Sequence, residues 1–321
     1  MAEHILKATC ETVHLGGFSS TLPPALTVKS GDRVWVETFT GFKVYEKAPA
    51  EFAPPALRQI CQNLPEERKV GPGSHLLTGP IYVEEALPGD VLEVRLEEIT
   101  PGLPIGFNAI RPGWGALPEQ FSQPALRFIP LDLQNQVTEF PPGSGIKLPL
   151  RPFFGIMGVA TAETSRSSIP PGQYGGNIDN RQLQAGSRLF LPVLLPGALF
   201  SIGDGHATQG DGEVDVTAIE TSMNGTIQLI LRKDLSFTHP IAETPTNFIT
   251  MGFATTLDAA FELALQRMIE FLVQFVEITS EEAYVLCSLA VNFHITQVVN
   301  TPHKGVHGLL PKSILSKTIT L

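Results

Sequence analysis

The chain contains 321 residues, of which 43% are hydrophobic and 17% are charged. This composition excludes a largely disordered protein, and the length suffices for one large domain or two of ordinary size, each with a buried core. The 22 basic and 32 acidic residues give a net charge of -10, and no run of lysine and arginine is present to neutralise phosphates. We therefore expect no nucleic-acid partner.

The N-terminal sequence MAEHILKATCETVHLGG lacks a basic region followed by an apolar stretch. No uninterrupted apolar run reaches the ~18 residues of a membrane helix. These features predict a cytoplasmic protein without a membrane partner. Cys10, Cys61 and Cys287 are far apart in the sequence, which predicts reduced packing residues rather than a disulfide framework or a CxxC metal knuckle.

Apolar runs bounded by glycine or proline recur through the first two thirds of the chain and predict many short strands. The stretch GEVDVTAIETSMNGTIQLILRK includes two such runs, with Asn224-Gly225 between strand-like segments. An Asn-Gly pair in this setting is a strong signal for a two-residue turn. It therefore predicts a tight hairpin, with EVDVTAIE as one strand.

The hydrophobic pattern changes to helical spacing after Thr255. Thr255 and Asp258 predict the start of one helix, and Thr279 and Glu282 have the spacing of a capping box for a second. We expect a helical hairpin on one face of the β core. The predicted fold is α+β and predominantly β, a sandwich or barrel-like core of antiparallel strands. It divides into an N-terminal β-rich region, 1–150, and a C-terminal α/β region, 151–321, or forms one intertwined domain.

The stretch IGDGHATQGDGEV, residues 202 to 214, gathers three acids around one histidine. If it is extended, Asp204 and His206 point to the same face, because strand side chains alternate. A carboxylate beside an imidazole can bind a divalent metal. Glycine-rich turns with an ordinary histidine fit this stretch equally well. An acidic calcium loop is a further alternative, although the EF-hand spacing is absent.

Two other stretches carry polar residues beside glycines. PPGQYGGNIDNRQL places Asn177 and Asp179 two positions apart, and GPGSHLLTGPIYVE places His75 before a predicted strand. Taken alone, these patterns indicate a surface loop and a structural histidine. The GxSxG, GxGxxG and Walker patterns are absent. Cys287 lies in an apolar predicted helix, where a buried thiol is inert.

The segments LTGPIYVEEALPGDVLEV, GFNAIRPGWGALPEQF, PPGQYGGNIDNRQLQAGSRLFLPV and GALFSIGDGHATQGDGEV together resemble the acetamidase/formamidase family. The resemblance covers nearly the whole chain, and the combination of GGNxD with GDxHAxQGDGE is specific. It implies a β-rich enzyme that hydrolyses small linear amides, such as formamide or acetamide, to ammonia and a carboxylate. It also implies a divalent metal, zinc as the first choice with a second ion such as calcium, and a homodimer or higher homo-oligomer.

The resemblance assigns roles to residues of this sequence. The implied metal ligands are Asp179, Asp204, His206 and, more weakly, His75. Proton transfer is implied for Glu213 or Asp211, and stabilisation of the oxyanion for Asn177, Gln209 and the backbone at Gly175 and Gly176.

Two positions depart from the family pattern. Phe39 follows Thr38 where many members have an aspartate, and Tyr174 precedes the paired glycines where some relatives have a histidine. If either position is functional in the family, fewer ions, another amide or loss of activity is expected here. Two alternatives to a linear amidase therefore stay open. One is a lactamase or another C–N hydrolase that acts on cyclic or larger amides, and the other is a non-enzymatic calcium-binding β-domain.

Overall fold

The computed structural model describes residues 1–321, and strands dominate its regular structure. The first 150 residues form helix α1 (Pro55–Asn63) and strands β1 (Glu3–Leu6), β2 (Val13–Leu15), β3 (Gly17–Phe18), β4 (Leu26–Val28), β5 (Arg33–Thr38), β6 (Leu76–Val83), β7 (Val91–Pro101), β8 (Ile105–Ile110), β9 (Ala125–Pro130), β10 (Val137–Glu139) and β11 (Lys147–Pro149). Short 3-10 helices lie at Tyr45–Lys47 and Glu66–Arg68.

The rest of the chain adds the helical pair and the remaining strands. The helices are α2 (Leu257–Phe271), which continues into a π-helical turn at Leu272–Val276, and α3 (Ser280–Ala290); a last 3-10 helix spans Lys312–Ile314. The strands are β12 (Phe153–Gly158), β13 (Arg166–Ser167), β14 (Gly175–Asn177), β15 (Arg188–Pro192), β16 (Phe200–His206), β17 (Met223–Arg232), β18 (Ile241–Glu243), β19 (Asn247–Ala254), β20 (Asn292–Gln297) and β21 (Lys304–Pro311).

Two mixed but mainly antiparallel sheets organise the molecule. The larger has nine strands in the order β1-β5-β17-β7-β15-β18-β19-β21-β20. The smaller has six, in the order β14-β12-β16-β6-β2, with β4 paired in parallel to β6. In each sheet, strands of region 1–150 pair with strands of region 151–321, as β5 does with β17 and β6 with β16.

The main core lies between the two sheets. It is a cluster of 33 buried residues that includes Val36 and Ile227 of the large sheet with Ile156 and Phe200 of the small one. A second cluster of 13 buried residues lies on the opposite face of the large sheet, under α2 and α3. The layers are therefore small sheet, large sheet and helical pair, which confirms the predicted predominantly β α+β fold.

The helical pair begins close to where the sequence predicts. The Thr256 side chain accepts the Ala259 N–H at 3.2 Å, so α2 begins one residue later than predicted. The capping box of α3 is confirmed, because Thr279 accepts the Glu282 N–H at 3.2 Å and Glu282 accepts the Thr279 N–H at 2.8 Å. No helix of the structure has the length and apolarity required to cross a membrane.

Two local predictions from the sequence are wrong. Asn224-Gly225 forms no hairpin but lies inside β17, where Gly225 is opposite Val36 of β5. A Cβ on Gly225 would lie 2.8 Å from the Phe154 ring, so this glycine permits close packing of the two sheets. The predicted strand EVDVTAIE is a series of turns instead, with positive φ at Glu213 (43°) and Val216 (86°).

The two residues that depart from the family pattern, Phe39 and Tyr174, pack in the interior of the protein. Phe39 is buried in an apolar cluster, and the preceding Thr38 donates its hydroxyl to the Met223 carbonyl at 3.0 Å. Tyr174 is 1% exposed, packs edge-on against Phe18, and donates its hydroxyl to the Pro170 carbonyl. Neither aromatic side chain belongs to the polar cluster described next.

Candidate active site

Four buried acids meet around one histidine at the carboxyl end of β16 in the small sheet. Asp204 and His206 lie on β16, as predicted from their spacing, and Asp179 follows β14. Glu213 and Glu220 come from the turns between β16 and β17. All five residues are at most 6% exposed.

Backbone strain accompanies this cluster. Asp179, Asp204 and Glu213 all take positive φ, at 50°, 58° and 43°. Left-handed backbone is uncommon for residues other than glycine and, when the surrounding fold maintains it, concentrates at functional sites. The three acids are thus held in place by the fold around them.

Gln209 fixes the orientation of the His206 ring. Its Oε1 lies 2.8 Å from His206 Nδ1, and its Nε2 donates to the Asp179 carbonyl at 2.9 Å. Because the amide nitrogen is bound to the Asp179 carbonyl, the amide oxygen is the atom that faces the His206 ring. Since an amide oxygen only accepts, His206 Nδ1 carries the proton, and Nε2 is the nitrogen left for a ligand.

The opposite side of the His206 ring faces carboxylates. Its Nε2 lies 3.2 Å from Glu220 Oε1 and 3.4 Å from Asp204 Oδ2, while Asp179 Oδ1 lies 3.9 Å from Nδ1. Phe153 packs edge-on against the ring, with the centroids 5.0 Å apart. The imidazole thus lies between Asp204 and Glu220 at Nε2 and Asp179 on the Nδ1 side.

Asn300 holds Asp179 from a distant part of the chain. Its Nδ2 lies 2.5 Å from Asp179 Oδ2 and 3.1 Å from the Asn177 carbonyl. The Gln297 side chain accepts the Asn300 backbone N–H at 2.9 Å and so positions the loop after β20. One carboxylate oxygen of Asp179 is thus bound, and the other is left for a ligand.

The donor set fits a divalent metal ion. Two groups have ligand atoms within 4.8 Å of one another, Asp179–His206–Glu213 and Asp204–His206–Glu220. Asp179 Oδ1, His206 Nε2 and Glu213 Oε2 are buried without a hydrogen-bond partner, a costly condition that a cation would relieve. Carboxylate oxygens and imidazole nitrogen are established ligands of such ions.

Gly155 leaves the space beside these donors. A Cβ at Gly155 would lie 2.4 Å from Asp179 Oδ1 and 2.9 Å from both Asp204 Oδ2 and His206 Cε1. Any larger residue at this position would therefore fill the space among the three side chains. The cluster depends on this one glycine of β12.

Burial and mutual repulsion shift the pKa values of the cluster. Burial raises the pKa of Asp179 to about 7, against the opposing charge of His206. Burial and repulsion from Asp179 together raise the pKa of Glu213 well above its usual value. Burial opposes a charged His206 ring, but Glu220 and Asp204 outweigh it and raise the pKa of His206. So many buried acids around one imidazole favour a bound cation, which would displace protons from the cluster.

Three acids of the cluster, Asp204, Glu213 and Glu220, line a small cavity of about 200 Å³, and His206 and Asp179 lie behind them. Asn177 and Asn300 line it as well. The Asn177 side chain donates to the Ile169 carbonyl at 3.2 Å, which leaves its buried Oδ1 without a partner. The cavity therefore presents both carboxylates and a free amide acceptor to a ligand.

The other candidate residues have different surroundings. His75 lines the same cavity, but its Nδ1 lies 2.8 Å from Ser168 Oγ and it belongs to neither group of metal donors. Asp211 lines a second, larger cavity and lies 3.5 Å from His294 Nδ1. Gly175 donates its backbone N–H to Gly172, and Gly176 lies opposite Met157 in the sheet. The structure therefore does not bring these glycine amides to the cavity.

Sequence reasoning missed Glu220 and Asn300. Glu220 lies 14 positions beyond His206, in a stretch that the alternating pattern assigned to a strand. Asn300 lies 121 positions beyond Asp179, in a segment without any local motif. Only the tertiary fold brings either residue to the site.

Strained, buried acids around a histidine beside a cavity are typical of a functional site. A comparison with protein families identifies which kind. The chain belongs to the Acetamidase/Formamidase family, whose model matches residues 69–167 and 160–317. It is therefore a hydrolase that acts on linear amides.

Solved structures and a curated relative are similar to the chain. A predicted acetamidase/formamidase from Thermoanaerobacter tengcongensis has a TM-score of 0.82 at 30% identity, over 98% of both chains. An acetamidase from Bacillus halodurans has a TM-score of 0.82 at 31% identity, over 98% of this chain and 100% of that one. A formamidase from Methylophilus methylotrophus is 30% identical over an aligned length of 176, and the match covers 48% of this chain and 43% of the relative.

Proposed function

We propose that this protein is a metal-dependent amidohydrolase that cleaves small linear amides, of the formamide or acetamide type, to ammonia and a carboxylate. Relatives named formamidase and acetamidase support this choice of substrate. The cavity of about 200 Å³ is smaller than the sites of drug-sized ligands, which favours a substrate of few atoms. The observation that carries the proposal is the buried His206 Nε2, which makes no well-formed hydrogen bond although it lies 3.2 Å from Glu220 Oε1 and 3.4 Å from Asp204 Oδ2.

The proposed ligands are Asp204, His206 and Asp179. His206 is shared by two groups of donors, in which Glu220 accompanies Asp204 and Glu213 accompanies Asp179. Zinc is the first choice because a histidine nitrogen joins the carboxylates, whereas calcium prefers oxygen ligands alone and would suit a second, acid-rich position. Such an ion supplies Lewis-acid chemistry, lowering the pKa of bound water and polarising a carbonyl. His75 stays a weaker candidate ligand.

Glu213 is the proposed proton carrier. Glu213 lines the cavity beside Asp204 and its buried Oε2 has no hydrogen-bond partner, which suits a group that would take a proton from the attacking water and return it to the departing nitrogen. Water adds to the carbonyl carbon, the C–N bond breaks, and nitrogen leaves as ammonia. Asp211 is the less favoured carrier, because it lines the second cavity beside His294.

Asn177 and Gln209 receive different roles. The free Oδ1 of Asn177 is an acceptor, so it suits the N–H of the substrate amide better than a developing oxyanion. Gln209 is engaged with both His206 and Asp179, so we assign it to positioning the imidazole. Gly176 pairs with Met157 in the small sheet and is the weakest of the proposed contacts with the substrate.

The test is ammonia release from formamide, acetamide and a panel of longer and cyclic amides, with bound metal quantified before and after chelation. Turnover that is lost with the metal and restored by zinc is the expected result. Preference for a cyclic amide would favour the lactamase alternative. No release from any amide, with calcium bound and lost on unfolding, would overturn the proposal in favour of a binding domain.

Two variants locate the metal. Asp204→Asn and His206→Ala are expected to fold, to lose bound metal, and to lose most of their turnover. A lowered melting temperature as the main effect, with turnover retained, would contradict the ligand assignment.

A further inference from the structure

Two cations share the active-site cavity with the buried acids. Lys43 and Arg111 line it as well, with Lys43 exposed and Arg111 half-buried. A neutral amide such as acetamide has no charge for either cation to bind. Their presence beside Asp204 and Glu213 therefore needs another explanation.

The same two cations also line an outer depression of about 530 Å³. Lys47 joins them there, and none of its lining residues is acidic. The chain as a whole carries a net charge of -10. A depression whose only charged lining residues are basic, and which shares two of them with the cavity, would attract anions to the site.

None of these three cations is used by the fold. Lys43, Lys47 and Arg111 form no ion pair and donate no side-chain hydrogen bond. By contrast, Arg188 and Arg232 bind the buried Glu93. Arg111 in particular presents a planar fork of donors that matches a carboxylate.

We propose that the preferred substrate is a short amide whose acyl group ends in a carboxylate, and that Arg111 and Lys43 bind this carboxylate. The inference rests on the proposed amidase function and narrows its substrate class. In the simplest case, malonamate, water adds to the amide carbon, the C–N bond breaks, and ammonia and malonate are the products. The distal carboxylate takes no part in the bond changes and serves to orient the amide towards the acids.

The test compares malonamate with 3-methylbutanamide, in which an uncharged isopropyl group replaces a carboxylate of nearly the same shape. For the wild-type protein with its metal, kcat/KM is expected to be at least about tenfold higher for malonamate than for 3-methylbutanamide. One charge-assisted contact contributes a factor of about this size. Arg111→Gln is expected to lower this preference about tenfold, mainly through the KM of malonamate. Raised salt is expected to lower the preference of the wild-type protein for malonamate as well, because it screens the attraction between the carboxylate and the cations.

Lys7→Gln is the matched control for Lys43→Gln, because Lys7 is exposed and lines neither cavity. The control should keep the wild-type preference, whereas Lys43→Gln should reduce it. Hydrolysis of neutral amides without a preference for malonamate would overturn this inference alone. An equal loss for both substrates in Arg111→Gln, with an unchanged melting temperature, would also overturn it. No turnover of any amide would overturn the proposed function and this inference together.

Discussion

Gln209 Oε1 accepts the proton of His206 Nδ1 at 2.8 Å, while the Gln209 amide nitrogen is bound to the Asp179 carbonyl at 2.9 Å. One side chain thereby sets the tautomer of the central imidazole and connects it to a neighbouring acid of the cluster. If His206 binds a metal ion as proposed, this contact would orient the ligand and raise its basicity.

Gln209→Leu is expected to lower metal affinity by about ten- to a hundredfold, because His206 would lose the acceptor that directs Nε2 towards the ligand. Gln209→Glu keeps that acceptor and should bind metal more tightly than Gln209→Leu. Competition with a chelator, followed by metal quantification, measures both. Equal affinity in the two variants would contradict the positioning role.

Gly155→Ala is expected to lower kcat about a hundredfold, since its Cβ would displace Asp179 and Asp204 from their present positions. Gly210→Ala is the matched control, because a Cβ there meets nothing within 4 Å. Metal content and turnover of both variants would be measured at matched melting temperature. Wild-type activity in Gly155→Ala would show that the cluster tolerates a methyl group at its centre.

The sequence predicts parts of this site for local reasons only. Asp204 and His206 could be paired because both lie on one strand, two positions apart. Glu220 could not be assigned to the site in this way, because its stretch has the alternating pattern of a strand. Turns with positive φ at Glu213 and Val216 bring it back to the imidazole instead. Asn300 contacts Asp179 across 121 positions of the chain, a relationship that no local pattern records.

The same limit applies to the fold. Capping residues and helical spacing depend on near neighbours, so the helical pair could be predicted within a residue of its start. Asn224-Gly225 has the local signature of a turn, but pairing with both β5 and β7 extends it into a ten-residue strand. Tertiary packing against Phe154 outweighed the turn propensity.

Cys287→Ser is expected to retain nearly normal turnover per folded molecule. Cys287 is buried on α3, and burial raises the pKa of its thiol to about 11, so it carries no thiolate at neutral pH. Replacing a buried thiol with a hydroxyl is expected to cost about 1 kcal/mol of stability. Activity assays on the purified variant check this. Complete loss of turnover in folded protein would indicate that the Cys287 thiol takes part in the reaction.

Glu93→Gln is expected to destabilise the fold by about 3 kcal/mol. The fully buried Glu93 carboxylate contacts Arg95 at 2.6 Å, Arg232 at 2.8 Å and Arg188 at 3.1 Å, and so joins β7, β15 and β17. Its removal would leave these guanidinium groups without their shared anion. Glu98→Gln, at an exposed position of the same strand, is the control and should change stability little.

The pH dependence of this effect has a defined sign. Burial opposes ionisation of Glu93, but its arginine partners outweigh burial and hold its pKa below the usual 4.5. The contribution of Glu93 to stability is therefore complete above about pH 4.5 and is lost as the pH falls through the lower folded-state pKa. Denaturant unfolding of both proteins at a series of pH values should show their stability difference shrinking below pH 4.5. A difference that stays constant down to the acid transition would mean that the carboxylate charge contributes nothing.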